Sequence, residues 1–503
     1  MICRFACIGL VCASLLTGPA YAESSQVKRA PTLNLNLPSM GAVAGTDLSV
    51  QEEQMIGEQM MQHIRADSHY LNDADTIEYL NRLGYRLVSV ANSHTYNFYF
   101  FPIIDKSLNA FAMPGGFIAV HSGTIIAAQN ESELAGVIAH EIGHVSQRHI
   151  ARMIDEQRHA QALSIGTVLL ALLAARAGSG DAAAAMMVGG QAAMIQKQLG
   201  FSRNAEREAD RVGLSSLINA GFNPLGMQSF FNRLMQNNHY YEAAAPQYLL
   251  THPLSVDRLS DMENRTRNMP RSHYRDSLDF YLIQQRLRVL QEKHHHDFLR
   301  VQNEMRLSLK SGVNDAQRCA LLYGLSLINA KLKNGESALR YAQEALRASP
   351  EKNNTLVLKN YSEQLFQFGS GKEREKALQT AKKLTQDNPL STTAALLYAD
   401  QLFGLKRYQE TLQFMRNQEA LGNTQPMYFS VLAQCYKALN QRSQHHQAIG
   451  DMYLAQGDKK AAEYQYQLAQ RANDGNFYTM SQVDAKLRST RALILEDEKF
   501  RTR

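Results

Sequence analysis

The sequence predicts a mainly α-helical protein with a small β-sheet and a C-terminal stack of paired helices. Apolar residues recur at spacings of three and four through much of the chain, for example from Ile77 to Val90, and this is helical periodicity. Two short stretches, 96–103 and 109–120, are aromatic or apolar, and the second contains a Pro-Gly-Gly turn, which favours strands. The last third repeats large and small residues at a period of roughly 34, which indicates helical hairpins.

The composition is that of a globular protein and argues against nucleic acid as a partner. Of the 503 residues, 45% are hydrophobic and 20% are charged, so the chain can bury a sizeable core. The 53 Lys and Arg residues exceed the 47 Asp and Glu residues only slightly, and they are dispersed along the chain.

The first 22 residues have the layout of a secretory signal peptide. Arg4 precedes an apolar run from Phe5 to Leu16, and the small-residue triplet 20–22 follows Pro19. The run is short for a membrane anchor, which is the alternative. We therefore expect cleavage after Ala22, export from the cytoplasm, and an extended arm over 23–45.

Export also determines which cysteines remain in the mature chain. Three of the five cysteines leave with the signal peptide, and Cys319 and Cys435 remain in an oxidising compartment. The sequence leaves two possibilities open for this pair, a disulfide or two buried free thiols.

The elements that follow the arm begin with a clear helix start. Ser49 and Glu52 form a capping box, and Asn130 with Glu133 gives a second start signal. Between these two helix starts lie a strand at 96–103 and two strands in 109–120, joined by the turn at 114–116. The second start signal predicts a helix from 131 to 149.

That helix carries the sequence His140-Glu141-Ile142-Gly143-His144, an H-E-x-x-H motif. Residues at i and i+4 share one helix face, so both imidazoles can reach one Zn²⁺ ion. Glu141 lies beside them, where it can take a proton from water activated by the metal. The motif predicts a zincin-type metalloprotease, with a helix bearing chance histidines as the alternative.

A catalytic zinc needs a third protein ligand and an open fourth position. His149 is one residue out of register for the extended metzincin motif, so we expect it at the surface or behind the ligands. A helix over 203–220 offers Glu206 and Asp210 at i and i+4. One carboxylate can bind the metal while the other orients a ligand histidine, and Glu208 is a further candidate ligand.

The remaining segments complete the domain plan. Residues 160–175 are uncharged and rich in Leu and Ala, and we interpret them as a buried or lid-like helix, with peripheral membrane contact as the alternative. From 271 the pattern is helical. The best tetratricopeptide-like unit spans 443–476, and about four such units would form a curved solenoid. We expect a metalloprotease domain at 46–270, a helical linker at 271–310, a tetratricopeptide repeat domain at 311–476 and a C-terminal tail at 477–503.

These motifs together resemble the gluzincin metalloproteases of the HtpX type, and in particular periplasmic members that carry tetratricopeptide repeats. The resemblance rests on the H-E-x-x-H motif, the 109–120 segment, Glu206 with Asp210, the Thr251-His252-Pro253 segment and the helical repeats. It implies one zinc ion on His140, His144 and Glu206, with Glu141 as general base and Asp210 as a supporting acid. It also implies outer-membrane β-barrel proteins and their assembly machinery as partners.

His252 is a further candidate catalytic residue. It could stabilise the oxyanion of the tetrahedral intermediate, or occupy the open metal position in a resting state. An ordinary loop histidine is the alternative, and both functional readings require His252 to lie close to the metal.

The favoured function is therefore a periplasmic zinc endopeptidase that takes part in quality control and assembly of outer-membrane β-barrel proteins. The alternative from another class is a chaperone or scaffold whose zinc site is latent or structural. A third reading is a membrane-associated protease anchored by 160–175. Since a structural zinc has no need of a base, Glu141 favours the enzyme.

Overall fold

The computed structural model describes residues 48–91, 95–156, 202–238, 247–269, 274–423 and 426–501. The predicted signal peptide, the arm at 23–45 and the apolar segment 160–175 lie outside these residues. The described chain is mainly helical with one small sheet, which confirms the predicted fold class. Within the described chain we find no helix that combines the length and the apolar character needed to span a bilayer.

The N-terminal part opens with two helices, α1 (Val50–Ala66) and α2 (Ala74–Val88). Ser49 caps α1 with the predicted capping box, and the Asp73 side chain accepts a hydrogen bond from the backbone N–H of Thr76 at the start of α2. α2 buries its apolar stripe under the sheet and against the chain's main core cluster.

The sheet has three strands, β1 (Tyr99–Ile103), β2 (Ala110–Met113) and β3 (Phe117–His121). Their order is β1-β3-β2, with β1 parallel and β2 antiparallel to β3. The turn at Pro114–Gly116 joins β2 to β3, and Gly115 takes a left-handed φ of 79° there. The strand predicted from residue 96 begins three residues later, because the ladder with β3 starts at Tyr99.

The next helices carry the polar residues singled out from the sequence. These helices are α3 (Ser122–Ala127), α4 (Glu131–Ser146), α5 (His149–Glu156), α6 (Arg203–Asn219), α7 (Leu225–Asn238), α8 (Gln247–Thr251) and α9 (Val256–Thr266). The helix predicted over 131–149 is divided in two, because Arg148 adopts a left-handed φ of 53° after α4 ends.

From residue 278 the chain is a succession of antiparallel helices. These helices are α10 (Leu278–Leu290), α11 (His295–Ser308), α12 (Asp315–Lys331), α13 (Gly335–Ala348), α14 (Thr355–Phe368), α15 (Gly371–Asp387), α16 (Thr392–Gly404), α17 (Tyr408–Arg416), α18 (Pro426–Ala438), α19 (Arg442–Ala455), α20 (Lys459–Ala472) and α21 (Phe477–Arg501).

A common turn geometry marks the pairs. Lys333, Lys406 and Asn440 each follow the first helix of a pair, and their φ values of 59°, 61° and 58° place them in the left-handed region. Between the neighbouring helices α19 and α20, a Cβ atom on Gly450 would lie 2.5 Å from the Tyr466 ring. The small residue therefore permits the close helix contact that the repeat pattern predicted.

Cys319 and Cys435 are both buried and both free. They belong to different core clusters, so of the two possibilities left open by the sequence the structure has the free thiols.

The beginning of α2 also contacts the paired helices. Asp73 binds Arg286 of α10 with Oδ1–Nη2 and Oδ2–Nε distances of 2.6 and 2.9 Å. Asp75 lies 2.9 Å from Nζ of Lys359 on α14 and accepts a hydrogen bond from Thr393 Oγ1 on α16 at 3.0 Å. This buried polar group joins the first part of the chain to helices 213 to 318 positions later.

Candidate metal centre

Helix α4 presents both histidines of the H-E-x-x-H motif to the same buried point. Asn130 caps the helix by accepting a hydrogen bond from the backbone N–H of Glu133. One helical turn then separates His140 from His144, and their Nε2 atoms lie 3.0 Å apart. Both side chains are fully buried, so the two nitrogens face each other out of contact with solvent.

Helix α6 brings its carboxylates to this point because it crosses α4 at close range. A Cβ on Gly143 would lie 2.8 Å from the Ala209 carbonyl oxygen, and one on Gly213 would lie 2.8 Å from the Ala139 carbonyl oxygen. Glycine at both positions lets the two backbones touch. Glu206 consequently lies 3.4 Å from Nε2 of His140 and 3.4 Å from Nε2 of His144.

His252 completes the cluster from the position directly after the short helix α8. Its Nδ1 lies 3.0 Å from Glu206 Oε1 and 3.4 Å from His140 Nε2. Among the described residues, His140, His144, Glu206 and His252 form the group of possible ligands, with one donor atom from each all within 4.8 Å of one another. The proximity expected for His252 is therefore present.

Glu206 contacts the Nε2 atoms of the ligand histidines, whereas Asp210 contacts the other nitrogen of His140. Asp210 Oδ1 lies 2.9 Å from His140 Nδ1, on the side of the ring away from the cluster. A carboxylate at this distance favours a proton on Nδ1, which leaves the Nε2 lone pair directed at the cluster.

His149 and Glu208 form a layer behind His144. His149 is buried, with Nδ1 2.9 Å from His144 Nδ1 and Nε2 3.0 Å from Glu208 Oε2. A surface position for His149 is therefore wrong, while a position behind the ligands is correct. Glu208 faces His149 and Arg152 and lies outside the ligand group, and these contacts hold its pKa down to about 2.

The site carries an excess of negative charge that a cation must balance. Burial lowers the pKa of His140, but the contacts with Asp210 and Glu206 outweigh it and raise that pKa to about 9. Burial raises the pKa of Glu206, yet the His252 charge and the three imidazoles hold it well below its ordinary value. The negative charges of Asp210 and Glu206 that favour a proton on His140 would also stabilise a bound divalent metal ion.

Arg258 was not singled out from the sequence, although it organises both carboxylates. Its Nη1 lies 2.8 Å from Glu206 Oε2, and its Nε and Nη2 bind Asp210 at 2.7 and 2.8 Å. It is buried, and Nη1 also donates to the Pro253 carbonyl oxygen at 2.7 Å. No local pattern marks Arg258, because its partners lie 48 positions or more away or are backbone atoms.

Glu141 is held beside the cluster by the sheet. The backbone N–H of Ala112 on β2 donates to Glu141 Oε2 at 3.1 Å. The other oxygen, Oε1, is buried, accepts no hydrogen bond from the described residues, and lies 3.6 Å from His252 Nε2. Burial raises the pKa of this carboxyl above its ordinary value, which suits a residue that exchanges protons near neutral pH.

Tyr248 is a second residue that the sequence did not indicate. Its ring stacks on His252 with centroids 4.6 Å apart, and its backbone N–H donates to the Leu108 carbonyl oxygen at 3.2 Å. The hydroxyl is buried and makes no hydrogen bond to any part of the chain that the structure describes.

Comparisons with known proteins agree with this geometry. The model of peptidase family M48 matches residues 75–266, which include every residue of the cluster. The class defined by the fold and the site is thus the metallopeptidases, with a metal ion as cofactor. A putative beta-barrel assembly-enhancing protease of Vibrio cholerae is 40% identical over 273 residues, which are 54% of each chain.

The beta-barrel assembly-enhancing protease of Escherichia coli K12 is 32% identical over 452 residues, which cover 87% of this chain and 86% of that protein. The chain belongs to this family of M48 proteases. Among solved structures, a tetratricopeptide repeat protein from Parabacteroides merdae aligns with 52% of this chain and 98% of its own, at 14% identity and a TM-score of 0.28.

Proposed function

We propose that the chain is a periplasmic zinc endopeptidase that acts in quality control and assembly of outer-membrane β-barrel proteins. The domain plan of the proposal is the one expected above, with the protease at 46–270, the linker at 271–310, the repeats at 311–476 and a tail at 477–503. The repeats would bind client proteins or the assembly machinery. The Escherichia coli relative, a beta-barrel assembly-enhancing protease that aligns with 87% of this chain, supports this choice of client.

The observation that carries the proposal is the convergence of four donor atoms beside a buried base. Ligands 2.0–2.1 Å from a tetrahedral zinc ion lie about 3.3 Å apart. The Nε2 atoms of His140 and His144 lie 3.0 Å apart, and each lies 3.4 Å from one of the two carboxylate oxygens of Glu206, which is compatible with this geometry. Two imidazoles with one carboxylate are also a typical catalytic zinc set.

Bound zinc would polarise the scissile carbonyl group and lower the pKa of water. Glu141 would take a proton from the attacking water on Oε1, which accepts no other hydrogen bond from the described residues, and pass it to the leaving amine nitrogen. The Ala112 N–H keeps the carboxylate oriented while this happens. Asp210 would act as the supporting acid that fixes His140.

The proposal assigns His252 to the fourth ligand position of a resting state rather than to oxyanion binding. The contacts of its Nδ1 with Glu206 and His140 support this choice, because both distances match those between the other donors. A peptide could then bind only after His252 moves away. Substrate would add to the exposed edge of β2 through main-chain hydrogen bonds. Because β3 is the central strand, only β2 offers an edge within residues 111–120.

The decisive experiment replaces Glu141 with Gln. We expect cleavage of an unfolded protein to fall by at least about a hundredfold, because the base is removed, with metal content kept near one ion per chain. Cleavage is followed on gels and metal by mass spectrometry. Retained cleavage would exclude the mechanism.

The scaffold alternative makes a different prediction. If a chelator abolished client binding as well as cleavage, a structural metal site would be favoured. The membrane-associated alternative predicts that the protein stays with membranes after a high-salt wash, whereas the proposal places it in the soluble periplasmic fraction.

A further inference from the structure

The last repeats enclose a pocket that lies outside the metal centre. Its volume is about 860 Å³, at the upper end of the roughly 300–1,000 Å³ typical of ligand pockets. It opens between α18, α19, α20 and α21. Five aromatic rings contribute to its lining: Tyr428, Phe429, Tyr436, Tyr466 and Tyr478.

The charges in the lining cancel. Lys486 Nζ lies 2.6 Å from both carboxylate oxygens of Asp451, so this pair is internally neutralised. Arg416 donates to the Tyr436 hydroxyl at 3.1 Å, and Glu419 supplies the opposite charge nearby in the lining. Two positive and two negative side chains give the pocket no net charge, which disfavours an anionic or cationic ligand.

Side-chain amides supply the free polar groups. Gln444, Gln447 and Gln482 line the pocket and make no side-chain hydrogen bond to the residues that the structure describes. Gln444 Oε1 is buried and still has no partner there. Each amide offers both a donor and an acceptor, as a peptide group does, whereas a phosphate or carboxylate ligand would use donors alone.

One helix joins the pocket to the catalytic sheet. Arg65, at the C-terminal end of α1, donates from Nη1 to the carbonyl oxygen of Ala455, a pocket residue, at 2.9 Å. In the middle of the same helix, Gly57 packs so tightly on the β2–β3 turn that a Cβ would lie 2.1 Å from the Pro114 carbonyl oxygen. α1 has 17 residues and is therefore about 26 Å long.

We propose that this pocket binds an extended, uncharged, aromatic-containing segment of an unfolded protein client, and that α1 holds it in a fixed place relative to the active-site sheet. The client's main chain bonds to the three glutamine amides, and its aromatic side chains pack on the tyrosine rings. The inference deepens the proposed function and depends on it, since it takes unfolded protein chains as the clients.

The test measures peptide binding in the full-length Glu141→Gln protein, in which the bound peptide is not cleaved. The probe is a fluorescein-labelled decapeptide with blocked ends, made of Tyr, Phe, Ser, Thr and Asn, and binding is read by fluorescence anisotropy. We expect Tyr478→Ala and Gln482→Ala each to raise the Kd at least about fivefold, as loss of a central interface contact does.

Tyr464→Ala is the matched control. Tyr464 and Tyr478 are 57% and 70% exposed, but only Tyr478 lines the pocket. The control should leave the Kd within about twofold. Two comparison peptides carry Glu or Lys in place of the Ser residues and should bind more weakly.

Equal effects of Tyr478→Ala and Tyr464→Ala would overturn the inference, as would tighter binding of either charged peptide. If the protein cleaves unfolded substrates but does not bind the labelled peptide, the proposed role of the pocket would be wrong and the proposed protease function would remain. If the wild-type protein binds the peptide in the pocket but shows no metal-dependent cleavage, the proposed protease function would be wrong and the peptide-binding pocket would remain.

Discussion

Arg258 decides how the two acidic side chains of α6 are used. The guanidinium lies 2.8 Å from Oε2 of Glu206 and binds both oxygens of Asp210. Glu206 still contacts His140 through Oε2 and the other two imidazoles through Oε1, while Asp210 reaches the far side of His140. Without a buried positive charge, two carboxylates this close to Glu141 would repel one another. Glu206 as candidate ligand and Asp210 as orienting residue thus differ in role, because Arg258 contacts one oxygen of Glu206 but both oxygens of Asp210.

His252 gives the first prediction at this scale. Replacement by Ala should increase cleavage of a short peptide, because it removes one of four candidate donors and leaves an open position for substrate. Metal content should remain near one ion per chain, held by His140, His144 and Glu206. Cleavage and metal content are measured together, with the exposed His296→Ala as control.

A loss of cleavage with full metal content would contradict this role and support oxyanion stabilisation.

Tyr248 gives the second prediction. Tyr248→Phe should raise the Tm by about 1–2 °C, because the variant no longer buries a hydroxyl without a partner. Tyr79→Phe is the matched control, since the buried Tyr79 hydroxyl donates to Glu131 at 2.9 Å and its loss should lower the Tm. Calorimetry of both variants checks the difference in sign. A fall in Tm for Tyr248→Phe would show that the hydroxyl has a partner.

At the scale of elements, α1 fixes the distance between the pocket and the sheet, because Gly57 lets the helix pack directly on the β2–β3 turn. Gly57→Ala should lower the free energy of unfolding by about 1–3 kcal/mol, since the added methyl overlaps the Pro114 carbonyl group. Gly371→Ala, in a helix position with nothing within 4 Å, should instead stabilise by about 0.5 kcal/mol. Urea unfolding measures both, and equal effects would contradict the packing argument.

The elements also show what the sequence could and could not predict. The helix faces of His140 and His144, and of Glu206 and Asp210, follow from periodicity, which is local. The order of the three strands does not follow from periodicity, because strand pairing joins residues that are distant in the chain. The central position of β3 is seen only in the structure. Arg258 could not be predicted for the same reason, since its carboxylate partners Glu206 and Asp210 are remote in the chain.

At the scale of the whole molecule, α2 and the paired helices are joined by ion pairs that respond to acid. The pKa of Asp73 lies well below its ordinary value, because Arg286 and Thr76 outweigh the effect of burial. Such a carboxylate stabilises the fold above about pH 4 and loses that contribution as pH falls towards its lowered pKa. We therefore expect the Tm to fall steeply below pH 4.

The corresponding variant tests this origin. Asp73→Asn should have a lower Tm at pH 7 and a flatter dependence on pH below 4, whereas the exposed Asp387→Asn should keep the wild-type slope. Scanning calorimetry from pH 7 to pH 2.5 provides the comparison. An unchanged slope in Asp73→Asn would assign the acid sensitivity to other carboxyl groups.

The same junction can be completed only after most of the chain has been made. Asp75 can pair with Lys359 on α14 earlier, but Asp75 and Glu78 obtain their full set of partners on α16 only once the chain has reached Thr393. At about 5–20 residues per second, this is roughly 15–60 s after α2 is made. The residues of the metal centre are all made before that moment, but the helix beneath their sheet is not yet fixed. The contacts that hold α2 are thus completed at Thr393, before the pocket-lining residues from Arg416 to Lys486 are made.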